Sequence, residues 1–196
     1  MGHEPEGTIA SCRNALAERA TGEWLCFLDA DDELGPGYLE AMRRKRHEQL
    51  GEGYFLLTPA VVNVRKRNVT GPFFHPEIDL AQANWLVIGT LIQRELFQQV
   101  GGFQDYPHGL EDWALWSSAY KAGAQVVRVP DAHYRWHPNR TSKHQMLMRS
   151  RHHPYWHQKV GSTIWPERFE APTAEENARH TLLSGGRISS TVRMKT

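Results

Sequence analysis

Four acidic residues between positions 29 and 33 follow directly on a short apolar run, residues 24–28, near the start of this 196-residue chain. Asp29 and Asp31 are two positions apart, so a tight loop can turn both carboxylates into one pocket, where their repulsion favours a bound cation. Carboxylates together with substrate phosphates are the usual ligands of Mg²⁺ and Mn²⁺ in such sites. The alternative interpretation is a solvated acidic turn that also caps a helix beginning near Pro36.

A second pair of carboxylates, Glu111 and Asp112, opens a stretch with helical patterning that continues to about Ala122. A carboxylate in the first turn of a helix is held rigidly, and the helix dipole favours its ionised form, so a residue at such a position can accept a proton. The alternative is that both acids merely favour the helix N-terminus while Trp113 and Trp116 pack inward.

The elements that must position these residues follow from the hydrophobic pattern. It predicts a helix over residues 8–20 with Ile9, Leu16 and Ala20 roughly on one face. It also predicts a central strand over residues 24–28 that is covered on both faces. Alternating helices and strands of this kind indicate an α/β fold. The other predicted helices cover residues 36–51, 94–100 and 111–122, and the other predicted strands cover residues 54–57, 61–64, 85–92 and 126–129, with Pro59 separating two of them.

Composition excludes several classes of function. The 23 basic and 22 acidic residues leave a formal charge of +1, so no strong field favours nucleic acid or a membrane surface. The apolar stretches are shorter than the roughly 20 residues that a membrane span needs. Of the two cysteines, Cys12 and Cys26, the second lies in an apolar run that is typical of a buried free thiol and of a reducing compartment. We therefore expect a soluble cytoplasmic protein that has no transmembrane segment and no nucleic-acid partner.

Three segments, taken in order, resemble family 2 glycosyltransferases of the GT-A type. Residues 11–32 resemble the family's Arg-Asn helix start, Thr-Gly-Glu turn and apolar strand leading into an Asp-x-Asp motif. Residues 100–116 contain a Gly-Gly-Phe turn and a Glu-Asp helix start, and residues 134–142 contain a Tyr-Arg-x-His element before a loop with serine. The three matches in family order and spacing are more specific than any one alone.

The resemblance implies a fold, a reaction and a set of site residues. The fold would be a GT-A mixed sheet flanked by helices, and the reaction would be metal-dependent transfer of a sugar, with inversion, from a nucleotide-diphospho-sugar to an unknown acceptor hydroxyl. The cofactor would be Mn²⁺ or Mg²⁺. By resemblance, the metal ligands are Asp31, Asp29 and His137, the groups near the nucleotide and diphosphate are Arg13, Asp29, Asp31, Arg135 and Arg140, the base is Asp112, and Glu111 orients the acceptor.

A single histidine is more often buried and hydrogen-bonded, or exposed, than bound to a metal, and this alternative applies to His137. The family's opening strands have no counterpart before Arg13 in this chain. We therefore expect an N-terminally incomplete GT-A domain over residues 1–142, an aromatic and histidine-rich extension over residues 143–183, and a disordered tail over residues 184–196.

An incomplete sheet leaves an open edge at the strand of residues 24–28, so we expect a second polypeptide or self-association to cover it. The alternative is that aromatic residues after Ser142 fold back over the gap. Two rival functions remain. One is a non-catalytic or partner-dependent subunit, and the other is a phosphohydrolase of the haloacid dehalogenase type, which also has an Asp-x-Asp motif after an apolar strand.

Overall fold

The computed structural model describes residues 7–48, 50–69, 79–106, 110–138 and 153–182. In chain order, the elements are α1 (Ile9–Arg19), β1 (Trp24–Leu25), β2 (Glu33–Leu34), α2 (Tyr38–His47), β3 (Phe55–Asn63), β4 (Asn68–Val69), β5 (Leu91–Gln93), α3 (Arg94–Gln99), α4 (Glu111–Lys121), β6 (Gln125–Trp136), α5 (His153–Ile164) and α6 (Ala174–Leu182). Within these residues, no helix is long and apolar enough to cross a membrane.

The strands form one mixed sheet in the order β1-β5-β3-β6-β2, with β4 paired to β3. Strands β3 and β6 run parallel in its centre, and the remaining pairs are antiparallel. The β3 side chains from Phe55 to Val61 are all buried, as expected for a strand with both faces covered. The predicted α/β class is thus confirmed.

Strand β3 continues through Pro59, so the predicted break at this residue is wrong. Proline lacks a backbone N–H and is tolerated in a sheet where the ladder is irregular. Such an irregularity is present here, because Pro59 lies opposite Val129 whereas Ala60 lies opposite His133. Strand β6 absorbs the extra residues and continues to Trp136, seven residues beyond the predicted end.

The predicted strand over residues 24–28 is shorter than expected and lies elsewhere in the sheet. Only Trp24 and Leu25 pair with another strand, antiparallel to β5, and β1 is at the edge of the sheet rather than in its centre. No strand of the described residues pairs with its outer edge. The predicted strand over residues 85–92 is likewise reduced to β5, since a turn from Val87 to Thr90 interrupts it.

Helix α1 forms as predicted but turns a different face inward. Thr8 caps it by accepting a hydrogen bond from Ser11 N at 3.1 Å. Ala10 and Ala17 are its buried residues, while Ile9 and Leu16 of the predicted apolar face are 40% and 65% exposed. The small alanines allow α1 to pack closely, and the face with the larger side chains is left in solvent.

Asn14 connects α1 to the turn before α4. Its side chain accepts from Phe103 N and donates to Phe103 O, both at 2.9 Å. Gly102 has a positive φ of 66°, and a Cβ there would be 2.7 Å from Asn14 Oδ1, so this turn requires glycine. Phe103 itself packs edge-on against Phe27, with ring centroids 4.8 Å apart. The turn and the exit of β1 are therefore held together.

The described part of the C-terminal extension packs on α4. Val160 of α5 joins a small core with Leu110 and Trp113, and Trp165 Nε1 donates to Ser117 Oγ at 2.8 Å. Phe169 packs with Trp165 in a separate cluster. The aromatic residues that could have folded over the edge of β1 therefore belong to a segment that packs on α4. The predicted tail, residues 184–196, lies outside the described residues.

Candidate active site

The exit of β1 gathers three carboxylates. Asp29, Asp31 and Asp32 each offer an oxygen within 4.8 Å of the others, and among the described residues they form the one group of this kind that could hold a metal ion. A turn in which Asp32 N donates to Asp29 O at 3.0 Å brings them together. Asp31 is exposed and has no hydrogen-bond partner among the described residues. Oxygen donors in this number suit a hard divalent cation.

Asp32 was not predicted as a site residue, yet it is the member of the group with the most partners. Its carboxylate accepts from Tyr134 Oη at 2.7 Å and from His137 N at 2.8 Å, so it ties the acidic loop to β6. Partial burial raises the pKa of Asp32, although both hydrogen bonds lower it. Its place in an acidic run gave the only sequence signal, and this did not distinguish Asp32 from its neighbours.

Arg13 joins the acidic loop to the start of α4. Its guanidinium contacts Asp29 Oδ1 at 2.5 Å and Glu111 Oε1 at 2.9 Å. The Arg13 side chain is only 13% exposed and lies against the face of the Phe103 ring, with 5.2 Å from Cζ to the ring centroid. Asp29 and Glu111, which are more than 80 residues apart in sequence, thus both contact the Arg13 guanidinium.

Glu111 and Asp112 occupy the first turn of α4 as predicted, but their surroundings differ from the expected ones. Glu111 is buried, and Asp112 accepts from Trp113 N at 2.7 Å and from Asn84 Nδ2 at 3.1 Å. Burial, together with the negative charge of Glu111, raises the pKa of Asp112 to about 7. The helix dipole favours the ionised form of Asp112, whereas burial and Glu111 oppose it. A carboxylate with such a pKa suits a general base at neutral pH.

Asn84 was not predicted as a site residue. It lies seven residues before β5, and no sequence motif marks it. Only the folded chain reveals its contact with Asp112.

The third predicted segment lies beside the acidic loop, but the side chains of Arg135 and His137 contact Glu33 rather than the three aspartates. His137 Nε2 is 2.9 Å from Glu33 Oε1, and Arg135 Nε is 3.1 Å from Glu33 Oε2. The structure therefore brings the backbone of His137 to Asp32 but does not add its ring to the group of three carboxylates. Arg140 lies outside the described residues, so its predicted place near the diphosphate remains a prediction.

A separate groove of about 420 Å³ runs along α4. Its lining includes Tyr106, Ala114, Ser118 and Thr163, and it contains none of the acidic site residues. Nothing in its lining indicates a particular ligand. The acidic site residues thus lie outside this groove, at the exit of β1 and the start of α4.

Comparison with known proteins gives one family and a set of similar solved structures, of which two are TarS and a mannosyltransferase. The family model for glycosyl transferase family 2 matches residues 3–106, while no curated protein matches the chain. TarS of S. aureus superposes with a TM-score of 0.57 over 87% of this chain and 29% of that chain, at 18% identity. The mannosyltransferase PcManGT from Pyrobaculum calidifontis, in complex with GDP-Man and Mn²⁺, gives a TM-score of 0.56 over 92% of this chain and 49% of that chain, also at 18% identity. The chain thus spans less than half the length of either structure.

Proposed function

The chain belongs to glycosyl transferase family 2 and has a GT-A fold, and on this basis we propose that it transfers a sugar from a nucleotide-diphospho-sugar to an acceptor hydroxyl with inversion. The observation that carries this proposal is the bridge of Arg13 between Asp29 and Glu111. Through this bridge the acidic loop, whose carboxylates could hold the donor diphosphate by way of a divalent cation, lies beside the helix start that carries Asp112.

In the proposed reaction, the acidic loop holds the donor. Asp31 and Asp29 are the proposed ligands of a Mn²⁺ or Mg²⁺ ion, and Asp32 is close enough to take part. Such an ion would neutralise the charge that develops on the leaving nucleoside diphosphate. Arg13 supplies a fixed positive charge at the same place and orients the Asp29 carboxylate.

Asp112 is the proposed base. It would take the proton of the acceptor hydroxyl as the acceptor oxygen bonds to the anomeric carbon and the bond from that carbon to the diphosphate oxygen breaks. Attack from the face opposite the leaving group inverts the anomeric centre. Glu111 is tied to Arg13 by an ion pair, so its proposed role is to fix the position of α4 and to orient the acceptor.

The rival functions fare differently. The family match and the GT-A glycosyltransferase neighbours are evidence against the haloacid dehalogenase alternative. The alternative of a partner-dependent subunit has one observation in its favour, which is that the outer edge of β1 is unpaired among the described residues. We propose that a strand from a second polypeptide or from a second copy pairs there, since open edges of this kind are seldom left bare.

The test of the proposed function is release of nucleoside diphosphate from a panel of nucleotide-sugars, with Mn²⁺, with Mg²⁺ and with a chelator. We expect metal-dependent release that Asp31→Asn abolishes. Asp131→Asn is the matched control, because Asp131 is an exposed aspartate of β6 that pairs with Arg44. If release continues unchanged in the presence of the chelator, or if Asp31→Asn and Asp131→Asn are equally active, the proposed metal site is wrong.

Solution mass tests the proposed strand partner separately. Mass measured at micromolar concentration should exceed that of one chain, or should rise when the partner is added. A strictly monomeric chain that turns over a nucleotide-sugar would show that no partner is needed.

A further inference from the structure

Asn84 uses both ends of its side-chain amide. Its Oδ1 accepts from Leu86 N at 3.1 Å, and its Nδ2 donates to Asp112 Oδ2, also at 3.1 Å. Because the backbone N–H requires an acceptor, the oxygen must face Leu86, and the nitrogen must then face the carboxylate. The orientation of the amide is thereby fixed by the turn itself.

The segment that carries Asn84 is anchored on several sides. Leu80 O accepts from Trp113 Nε1 at 2.7 Å, and Gln82 O lies 2.7 Å from His157 Nε2. Asp79 pairs with Arg168 at 2.7 Å. The contacts come from α4, from α5 and from the residues after α5, so the described C-terminal helices hold this segment against the helix that bears Asp112.

We propose that Asn84 is a positioning residue for Asp112, holding one carboxylate oxygen so that the carboxylate faces the acceptor in its ionised form. The inference rests on the proposed function, in which Asp112 is the base. With Trp113 N on Oδ1 and Asn84 on Oδ2, rotation of the carboxylate is blocked, and each oxygen keeps a lone pair for the acceptor proton.

The hydrogen bond that Asn84 donates to Asp112 has an electrostatic consequence as well. The charged groups that face Asp112 are Glu111 on the same helix, Arg13 from α1 and Asp29 from the acidic loop, while His157 of α5 stacks on the neighbouring Trp113 ring at 4.2 Å. A hydrogen bond donated to a carboxylate favours its charged form. Asn84 therefore opposes burial and Glu111 without adding a charge, and its loss should raise the pKa of Asp112.

The experiment is a carbon-detected NMR titration of the aspartate carboxyl groups, with Asp112→Asn used to assign the Asp112 signal. Asn84→Ala should raise the Asp112 midpoint by about half a pH unit to one unit, as expected for one lost hydrogen bond. Asn84→Asp keeps the acceptor for Leu86 N but places a carboxylate opposite Asp112. Asn84→Asp should raise the Asp112 midpoint by more than about one pH unit, because ionisation of one carboxyl group disfavours ionisation of the other nearby.

Asn63→Asp is the matched control. The Asn63 amide oxygen likewise caps a turn, accepting from Arg65 N and Lys66 N at 3.1 Å each, but in the connection between β3 and β4. It should leave the Asp112 midpoint unchanged. If the Asn84→Asp chain does not fold, Asn84→Ser decides, since a serine hydroxyl can cap the turn at Leu86 but is too short to reach Asp112.

Failure of this inference and failure of the proposed function give different results. An Asp112 midpoint that is the same in wild type, Asn84→Ala and Asn84→Asp overturns the positioning role, whatever the activity. A raised midpoint supports the contact, and in an active protein it should move the acid limb of kcat to higher pH with an unchanged KM for the donor. A shift of the midpoint in a chain that releases no nucleoside diphosphate would instead count against the proposed function.

Discussion

The acidic loop and the start of α4 both present carboxylates, but they do so in opposite surroundings. Asp31 is exposed and has no hydrogen-bond partner among the described residues, whereas Glu111 is buried against Arg13 and Asp112 accepts two hydrogen bonds. An exposed carboxylate can exchange its water for a cation. A partly buried carboxylate beside a like charge keeps its proton to a higher pH than an exposed carboxylate does. Binding a metal and accepting a proton therefore call for different environments of the same chemical group.

The largest expected effect is on turnover. Asp112→Asn removes the proposed base while keeping the shape of the side chain, and kcat should fall by roughly 10² to 10⁴, as is typical when a general base is lost. The measurement is the rate of nucleoside diphosphate release at saturating donor and acceptor. Asp131→Asn is the control and should remain fully active. If Asp112→Asn were nearly as active as wild type, the base would have to be another residue, and Asp105 would be the next to examine.

The bridge of Arg13 should matter more for α4 than for the acidic loop. Arg13→Met leaves the Glu111 carboxylate, which is 8% exposed, buried without its cation, and should destabilise the protein by roughly 2–3 kcal/mol. A double-mutant cycle in urea should give a larger coupling energy to Glu111→Gln than to Asp29→Asn, because the Asp29 side chain is 40% exposed. A larger coupling to Asp29 would reverse the comparison between the two regions.

The pKa of Asp112 predicts a smaller effect, on the pH dependence of stability. Its folded-state pKa of about 7 lies above the ordinary aspartate value of about 3.9, so the folded chain holds a proton that the unfolded chain has lost between these values. Stability should therefore fall as pH rises from about 4 to 7. Since Asp112 is only partly enclosed, we expect Asp112→Asn to gain roughly 2 kcal/mol at pH 8 and clearly less at pH 5.

Urea denaturation at the two pH values measures this difference. The control is again Asp131→Asn, whose exposed ion pair with Arg44 should contribute little at either pH. If Asp112→Asn changed the free energy of unfolding equally at pH 5 and pH 8, burial would not raise the pKa of Asp112.

The sequence predicted the local features of the fold well where side chains act within one turn. Helices α3 and α4 begin at the predicted residues and end within one residue of the predicted ends. The sequence did not predict which face of a helix is buried, because that depends on the elements against which the helix packs. The sequence placed Ile9 and Leu16 on the apolar face of the helix, but α1 packs through Ala10 and Ala17.

The same limit applies to the site. Asp29, Asp31 and Asp112 were predicted because each lies at the end of a recognisable strand or helix. Asn84 and the contacts of Arg13 were not, because hydrogen bonds and ion pairs between residues distant in sequence leave no local pattern. The pKa of Asp112 depends on burial, which the helix pattern alone does not reveal.

The most direct test of the division between the two regions is calorimetric titration of Mn²⁺ with nucleoside diphosphates into wild type, Asp31→Asn and Asp112→Asn. It requires neither the acceptor nor the donor sugar. We expect Asp31→Asn to weaken binding at least about tenfold, in line with the usual effect of disturbing a metal site, and Asp112→Asn to bind as wild type does. Wild-type affinity in Asp31→Asn, or an equal loss in both variants, would contradict the assignment of metal binding to the acidic loop and proton transfer to α4.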